Sequence, residues 1–140
     1  LAADTKYAKQ MEKMRKTLCH WMVETKDLGL ICEPILEDLG KQYGNKYNVL
    51  QDKKYADLTT QLIKTIEAGE KKDLKTLRKS LETGSAFEQY WAATWLGVNK
   101  DRQSEPALKE MAKCEIPALR IASLLALHKI GITTSQNDTR

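Results

Sequence analysis

The apolar positions in the second half of the chain follow a pattern that occurs twice. Trp91-Ala92-Ala93 aligns with Ile121-Ala122-Ser123 at an offset of 30 residues (from 91 to 121). The same offset aligns two further pairs of residues, Leu77 with Ala107 and Leu81 with Met111. Each copy reads as a short helix, a break and a more apolar helix, which is typical of helical hairpin repeats. The stretch 74–131 therefore predicts an all-α fold of stacked hairpins, similar to HEAT-type repeats.

The first predicted helix, over about 4–25, is long and amphipathic. Asp4 suits its N-cap and Gly29 lies where the chain leaves it. Its apolar residues are spaced by three or four positions along one face: Tyr7, Met11, Met14, Leu18 and Met22. Lysines and Glu12 occupy the opposite face. Either the repeats or another copy of the chain must cover this apolar stripe. A helix about 30 Å long extends beyond a compact stack of repeats, so we expect self-association.

Six further helices are predicted from caps, breakers and periodicity. Pro34 suits the first turn of a second helix at 35–42, and residues 43–55 read as a turn and an irregular link. The later helices are expected at 55–68 with Gly69 at the end, 74–83 after Asp73, 86–98, 104–113 and 117–131. Ser85 and Glu88 form a capping box before the fifth helix. We expect Trp91, in this apolar helix, to be nearly fully buried.

These elements divide the chain into four parts. The long helix occupies residues 1–30, a short helix and linker 31–55, the repeats 56–132 and a polar, frayed tail 133–140. A chain of 140 residues is one ordinary domain by length.

Composition excludes some partners. The net charge of +4 is spread along the chain without a run of like charges, so nucleic acid is not indicated. No apolar segment approaches the roughly 18 residues that a membrane-spanning helix needs. The three cysteines, Cys19, Cys32 and Cys114, cannot all pair, and we expect them to be free and mostly buried.

Several phrases in the first third of the chain resemble a known family. They are Leu1-Ala2-Ala3-Asp4, Met14-Arg15-Lys16-Thr17-Leu18, the phrase Trp-Met-x-Glu-Thr-x-Asp-x-Gly at 21–29, and Glu33. Together they look like the tail of bacterial sulfatases of the subgroup resembling heparan N-sulfatase. Tyr90-Trp91-Ala92 resembles the helical C-terminal extension of that subgroup, although Gln89 stands where the extension tends to carry Arg. The resemblance covers most of the chain.

The resemblance implies a function for a larger protein. The whole enzyme would be exported or periplasmic and would hydrolyse sulfate esters or sulfamates on carbohydrates. Its calcium ion and its nucleophile would lie in a catalytic domain preceding Leu1, and this chain would be an accessory portion packed on that domain. The first residues, which include no Met, look like those of an excised piece. The alternative is a stand-alone helical-repeat module that binds a protein partner.

The chain itself lacks sulfatase chemistry in its sequence. The family's nucleophile needs a C-x-P-x-R phrase, and neither Cys32 nor Cys114 is followed by one. Asp27, Asp38 and Asp52 do not have the spacing of a calcium site. We therefore predict no catalytic, cofactor-binding or metal-binding residue here, and no hydrolysis of sulfate esters by this chain alone.

Other polar residues favour structural roles. Glu24 and Asp27 are read as solvated at a helix end, His20 and His128 as packed, boundary or surface residues, and Arg120 as a donor to a neighbouring hairpin. One group of basic residues, which we call the basic edge, has two interpretations. It is an ordinary solvated surface, or it contacts a sulfated glycan. It comprises Lys71, Lys72, Lys75, Arg78 and Lys79.

Overall fold

The computed structural model describes residues 4–132 and is all-α, as predicted. Eight α-helices and no β-strand occur in this range. The helices are α1 (Ala8–Glu24), α2 (Glu33–Gln42), α3 (Lys46–Val49), α4 (Leu58–Glu70), α5 (Leu74–Thr83), α6 (Ala86–Val98), α7 (Glu105–Met111) and α8 (Pro117–Ile130). Single 3-10 turns occupy Thr5–Tyr7, Lys53–Tyr55 and Arg102–Ser104. The polar tail predicted for 133–140 lies outside the described residues.

Helix α6 is the element around which the others pack. Helices α4, α5 and α8 all contact it, and the predicted capping box of Ser85 and Glu88 fixes its first turn. Two glycines let helix backbones approach closely. A Cβ on Gly97 would lie 2.7 Å from the Cα of Ala126 on α8, and one on Gly69 would overlap the indole ring of Trp95. Any larger residue at either position would force the helices apart.

Two groups of buried side chains form the core. The first joins α5, α6, α7 and α8 and contains Leu77, Leu81, Leu96, Leu108 and Leu127. The second joins α2, α3 and the start of α4 to the first turn of α6 and contains Ile35, Leu36, Leu58, Leu62 and Phe87. In the second group the ring of Tyr55 stands edge-on to those of Tyr43 and Phe87, with centroids 6.3 and 6.2 Å away.

Trp91 is half-buried, so the prediction that it would be nearly fully buried is wrong. Its indole Nε1–H donates a 2.6 Å hydrogen bond to the carbonyl of Leu30, outside the helices. An indole ring has a polar edge that needs a partner, and the linker before α2 supplies one. Phe87, which has no such edge, is the fully buried aromatic residue of α6.

Helix boundaries differ from the predicted ones in a few places. Gly69 lies inside α4 and does not end it. The segment expected as a link between 47 and 49 belongs to the short helix α3, whose N-cap Asn45 accepts from the backbone N–H of Tyr47. Asp4 caps the 3-10 turn that precedes α1, not α1 itself. Helix α7 ends at Met111, two residues before the predicted end.

A Lys-Asp pair follows three of the helices. Lys26, Lys72 and Lys100 adopt left-handed backbone angles of φ 51°, 56° and 54° after α1, α4 and α6. In each case the next residue, an Asp, donates its backbone N–H to a carbonyl in the last turn of that helix. This is the Schellman arrangement, in which glycine is the usual left-handed residue. The side chains of Asp27 and Asp73 accept from backbone N–H groups just after them, whereas that of Asp101 accepts from Arg78 of α5.

The most buried ion pair of the described range joins α5 to the turn after α6. The Nε and Nη2 atoms of Arg78 lie 2.8 and 2.9 Å from the two carboxylate oxygens of Asp101, in a bidentate pair. The Asp101 side chain is 4% exposed and that of Arg78 is 30% exposed. The hydrogen bonds from Arg78 hold the pKa of the Asp101 carboxyl below its usual range. Asp101 therefore ties α5 to the turn between α6 and α7.

We expect Asp101→Ala to lower the free energy of unfolding by about 3 kcal/mol, because it leaves a partly buried guanidinium without its partner. The pKa of Asp101 is depressed in the folded state, so the stabilisation is complete above about pH 5 and is lost as the pH falls below about 4. Urea melts at pH 7 and pH 3 should therefore show a smaller difference from wild type at pH 3. Glu67→Ala, which removes an exposed pair with Lys71, is the control and should cost less than about 1 kcal/mol.

Lys72→Gly should stabilise the protein. A left-handed backbone costs a non-glycine residue about 1–2 kcal/mol, while the extra chain entropy of glycine costs about 0.5–1 kcal/mol, so a net gain of about 0.5 kcal/mol is expected. Lys75→Gly is the matched control in the first turns of α5, where a loss of up to about 1 kcal/mol is expected. A loss at both positions in thermal melts would contradict this account of the turn.

Candidate functional site

Helix α1 presents an apolar face that the described residues leave largely exposed. It contains no buried residue, whereas every other helix of ten or more residues buries at least two. Tyr7, Met14, Leu18 and Trp21 are exposed and are spaced by seven, four and three positions, which places them on one side. We call these four residues the α1 stripe. Met11 and Met22, which were predicted on the same face, are half-buried.

The α1 stripe borders a groove between α1 and α4. The groove has a volume of about 620 Å³, and its apolar floor includes Leu18, Met22, Ile63 and Ile66. Its rim is charged but neutralised by ion pairs. Arg15 bridges from α1 to Glu70 of α4 at 3.5 Å, Lys16 pairs with Glu12 at 2.7 Å, and Lys71 pairs with Glu67 at 2.9 Å. Contact with α4 thus covers one edge of the apolar face and leaves the other open.

A second cleft lies at the end of α1. It has a volume of about 570 Å³ and lies between Trp21 and Tyr47, both of them exposed. Its cations are already engaged: Lys26 donates to the carbonyl of Leu50 at 3.0 Å, and Lys46 pairs with Glu33 at 3.2 Å. The cleft therefore extends the α1 stripe with apolar rings and offers little unpaired charge.

The cysteines do not form a reactive site. All three are free, as predicted, but they are half-buried and not mostly buried. Burial raises the pKa of the Cys32 thiol, and a thiol kept protonated is a weak nucleophile. The Cys114 thiol lies 3.6 Å from the carbonyl of Ile116, in the turn before α8.

The other polar residues singled out in the sequence have local partners. Glu24 lies 3.3 Å from the Nε2 of His20, and Asp27 accepts from the backbone N–H of Gly29, so the two carboxylates do not act on a common site. Arg120 donates to the carbonyl of Cys114 at 3.2 Å, which is a bond to the turn before its own helix and not to a neighbouring hairpin. His128 is exposed at the end of α8.

Only part of the predicted basic edge is unpaired. Lys71 and Arg78 are held by Glu67 and Asp101. Lys72, Lys75 and Lys79 are exposed and have no ion pair with any residue between 4 and 132. The structure thus separates two paired cations, the exposed Lys71 and the partly buried Arg78, from three that are unpaired.

Residues 4–132 contain neither a cluster of metal-binding side chains nor a helix that could span a membrane. No group of three or more His, Cys, Asp or Glu side chains in this range is placed to hold a metal ion. No described helix is both long enough and apolar enough to span a membrane.

Comparisons with known proteins add no family. The chain matches no protein-family model, and neither a curated protein nor a solved structure is similar enough to count as a match. What is known of the site therefore comes from its own residues. Tyr7, Met14 and Leu18 of the exposed stripe belong to the periodicity predicted from the sequence, whereas Trp21 does not. The exposure of Tyr47 on α3, and of Ile121 and Leu125 on α8, was not predicted, because apolar residues are normally read as core.

Proposed function

We propose that this chain is a non-catalytic accessory portion of a carbohydrate sulfatase and that it docks on its catalytic domain through the α1 stripe. The observation that carries the proposal is the apolar face of α1, of which α4 covers only one edge. Helices of this length in water draw most of their stability from packing of an apolar face, and α1 buries none of its residues. A surface of this kind is typical of a contact with another domain.

The resemblance in the sequence agrees with this role. In the sulfatase subgroup, the helix that corresponds to residues 4–25 packs on a small antiparallel sheet at the end of the catalytic portion. Each of the large apolar side chains of the stripe would gain roughly 1.5–3 kcal/mol on full burial. The parent enzyme would act on sulfate esters or sulfamates, would carry calcium in its catalytic domain, and would be periplasmic or exported.

A second candidate function is a helical-repeat module that binds a protein partner. It is favoured by a different surface, the exposed Ile121 and Leu125 on the outer side of α8. Together with Tyr90 and Thr94 of α6 they border a small hollow of about 140 Å³. Under this reading α5–α6 and α7–α8 are HEAT-like hairpins, and a partner would lie against the last of them.

The coding sequence that precedes Leu1 tests the first function directly. The sulfatase proposal requires a C-x-P-x-R phrase upstream in the same reading frame, and a reading frame that begins at Leu1 would contradict it. In the whole protein, Leu18→Glu should loosen the contact between the two domains. Thermal melts should then show two transitions where wild type shows one.

The chain alone should self-associate through the α1 stripe, because the stripe then has no other cover. In light scattering we expect a concentration-dependent mass for wild type and a monomer for a Met14→Glu, Leu18→Glu double variant. The matched control is Ile121→Glu, Leu125→Glu, which introduces the same charge on another exposed apolar surface and should leave association unchanged. The reverse outcome, with only the α8 variant monomeric, would favour the repeat-module function.

A further inference from the structure

The carboxyl ends of α4, α6 and α8 lie together at one end of the molecule. The side-chain amide of Asn99, after α6, donates a 3.0 Å hydrogen bond to the carbonyl of Gly69 in α4. Gly97 of α6 packs on Ala126 of α8, and the guanidinium of Arg102 approaches Gly131, which follows α8. The turns that lead into α5 and α7 begin at this same end.

The acidic groups at this end are already engaged. Asp101 is held by Arg78, Glu70 by Arg15, and Glu67 by Lys71. The carboxylate of Asp73 caps α5 by accepting from the backbone N–H and the hydroxyl of Thr76, at 3.1 and 2.7 Å. Glu105, at the start of α7, pairs with Lys109. The four ion-paired carboxylates are offset by their partners. Asp73 has only uncharged partners; its bonds to Thr76 and the nearby Lys75 lower the pKa of its carboxyl, so its charge remains next to the start of α5.

Five cations in the turns after α4 and α6 and in the first two turns of α5 have no ion pair with any residue described. We call them the basic end: Lys72, Lys75, Lys79, Lys100 and Arg102. All five are exposed. Lys72 and Lys100 are held out from the helices by their left-handed turns, and Lys75 and Lys79 follow each other along one side of α5. The bond between Arg78 and Asp101 brings Lys100 and Arg102 next to α5.

We propose that the basic end binds a sulfated polysaccharide. Its cations stand on open surface, which suits a chain with many spaced negative charges better than one small anion. Four of the five are lysines, which act as point charges and do not form the planar fork that arginine offers. The proposal rests on the proposed function, since it names where a sulfated carbohydrate substrate would be held, but the binding itself needs no catalytic domain.

Nucleic acid fits this surface less well. Proteins that bind single strands add aromatic side chains on which bases stack, and the basic end has none. Trp95, the aromatic residue of α6 nearest in sequence to Lys100, packs on Gly69 with its Nε1 atom buried. The exposed aromatic residues Tyr7, Trp21 and Tyr47 belong to the first 50 residues of the chain. A surface that has positive charge but no aromatic side chains for base stacking favours a sulfated saccharide over nucleic acid.

The test measures the affinity of this chain for heparin at physiological ionic strength. A Lys75→Glu, Lys100→Glu variant should bind at least tenfold more weakly than wild type, and its dependence on salt concentration should be shallower because fewer cations take part. The matched control is Lys9→Glu, Lys13→Glu, which changes the net charge equally on the exposed side of α1 and should change the affinity less than threefold. Helical content and melting temperature verify that each variant is folded.

Three outcomes would overturn the proposal. One is no binding of heparin by the wild-type chain. Another is an equal loss of heparin affinity in both double variants, because heparin would then be attracted by the overall positive charge of the protein and not by the basic end. The third is single-stranded DNA binding as tightly as heparin with the same dependence on Lys75 and Lys100. Failure of heparin binding together with a C-x-P-x-R phrase upstream would leave the accessory role intact. If the chain binds heparin but no C-x-P-x-R phrase lies upstream, the basic end is a glycan-binding site of a protein that is not a sulfatase.

Discussion

The close approach of helix backbones at α6 is the constraint on which the rest of this structure depends. Gly97 lets α6 meet α8 at Ala126, and Gly69 lets the ring of Trp95 lie on α4. These contacts bring the carboxyl ends of three helices together, and only then can Arg78 of α5 reach Asp101 in the turn after α6. The charge pattern of the surface is thus a consequence of two positions that have no side chain.

The all-α class, and the existence of all the helices except α3, could be predicted from apolar periodicity, the capping box and the prolines. The errors have physical causes. Gly69 was read as a helix terminator, but glycine also serves where a large ring needs room, and sequence does not distinguish these uses. Trp91 was read as core because its neighbours are apolar, although its indole N–H bonds to Leu30, 61 residues away. The Lys-Asp turns are not predictable from the sequence because lysine is unusual in left-handed turns.

The candidate surfaces were predictable only in part. Three of the four residues of the α1 stripe follow from spacing. Whether such a stripe is covered depends on tertiary packing, and here α4 covers only the side near Met22. The unpaired cations could not be separated from the paired ones in the sequence. Lys71 and Lys72 are neighbours of the same type, yet one pairs with Glu67 and the other is turned away by its left-handed backbone.

The two proposed surfaces adjoin each other, and this makes their roles compatible. The bridge from Arg15 to Glu70 ties the middle of α1 to the last turn of α4, two residues before Lys72, where the basic end starts. A domain seated on the α1 stripe would therefore stand beside the cations of that end. A polyanionic chain held by Lys72 and Lys100 would pass close to that domain, so electrostatic attraction would raise its local concentration there. In such an arrangement the apolar stripe would contact the neighbouring domain, and the basic end would attract the polyanion to the same place.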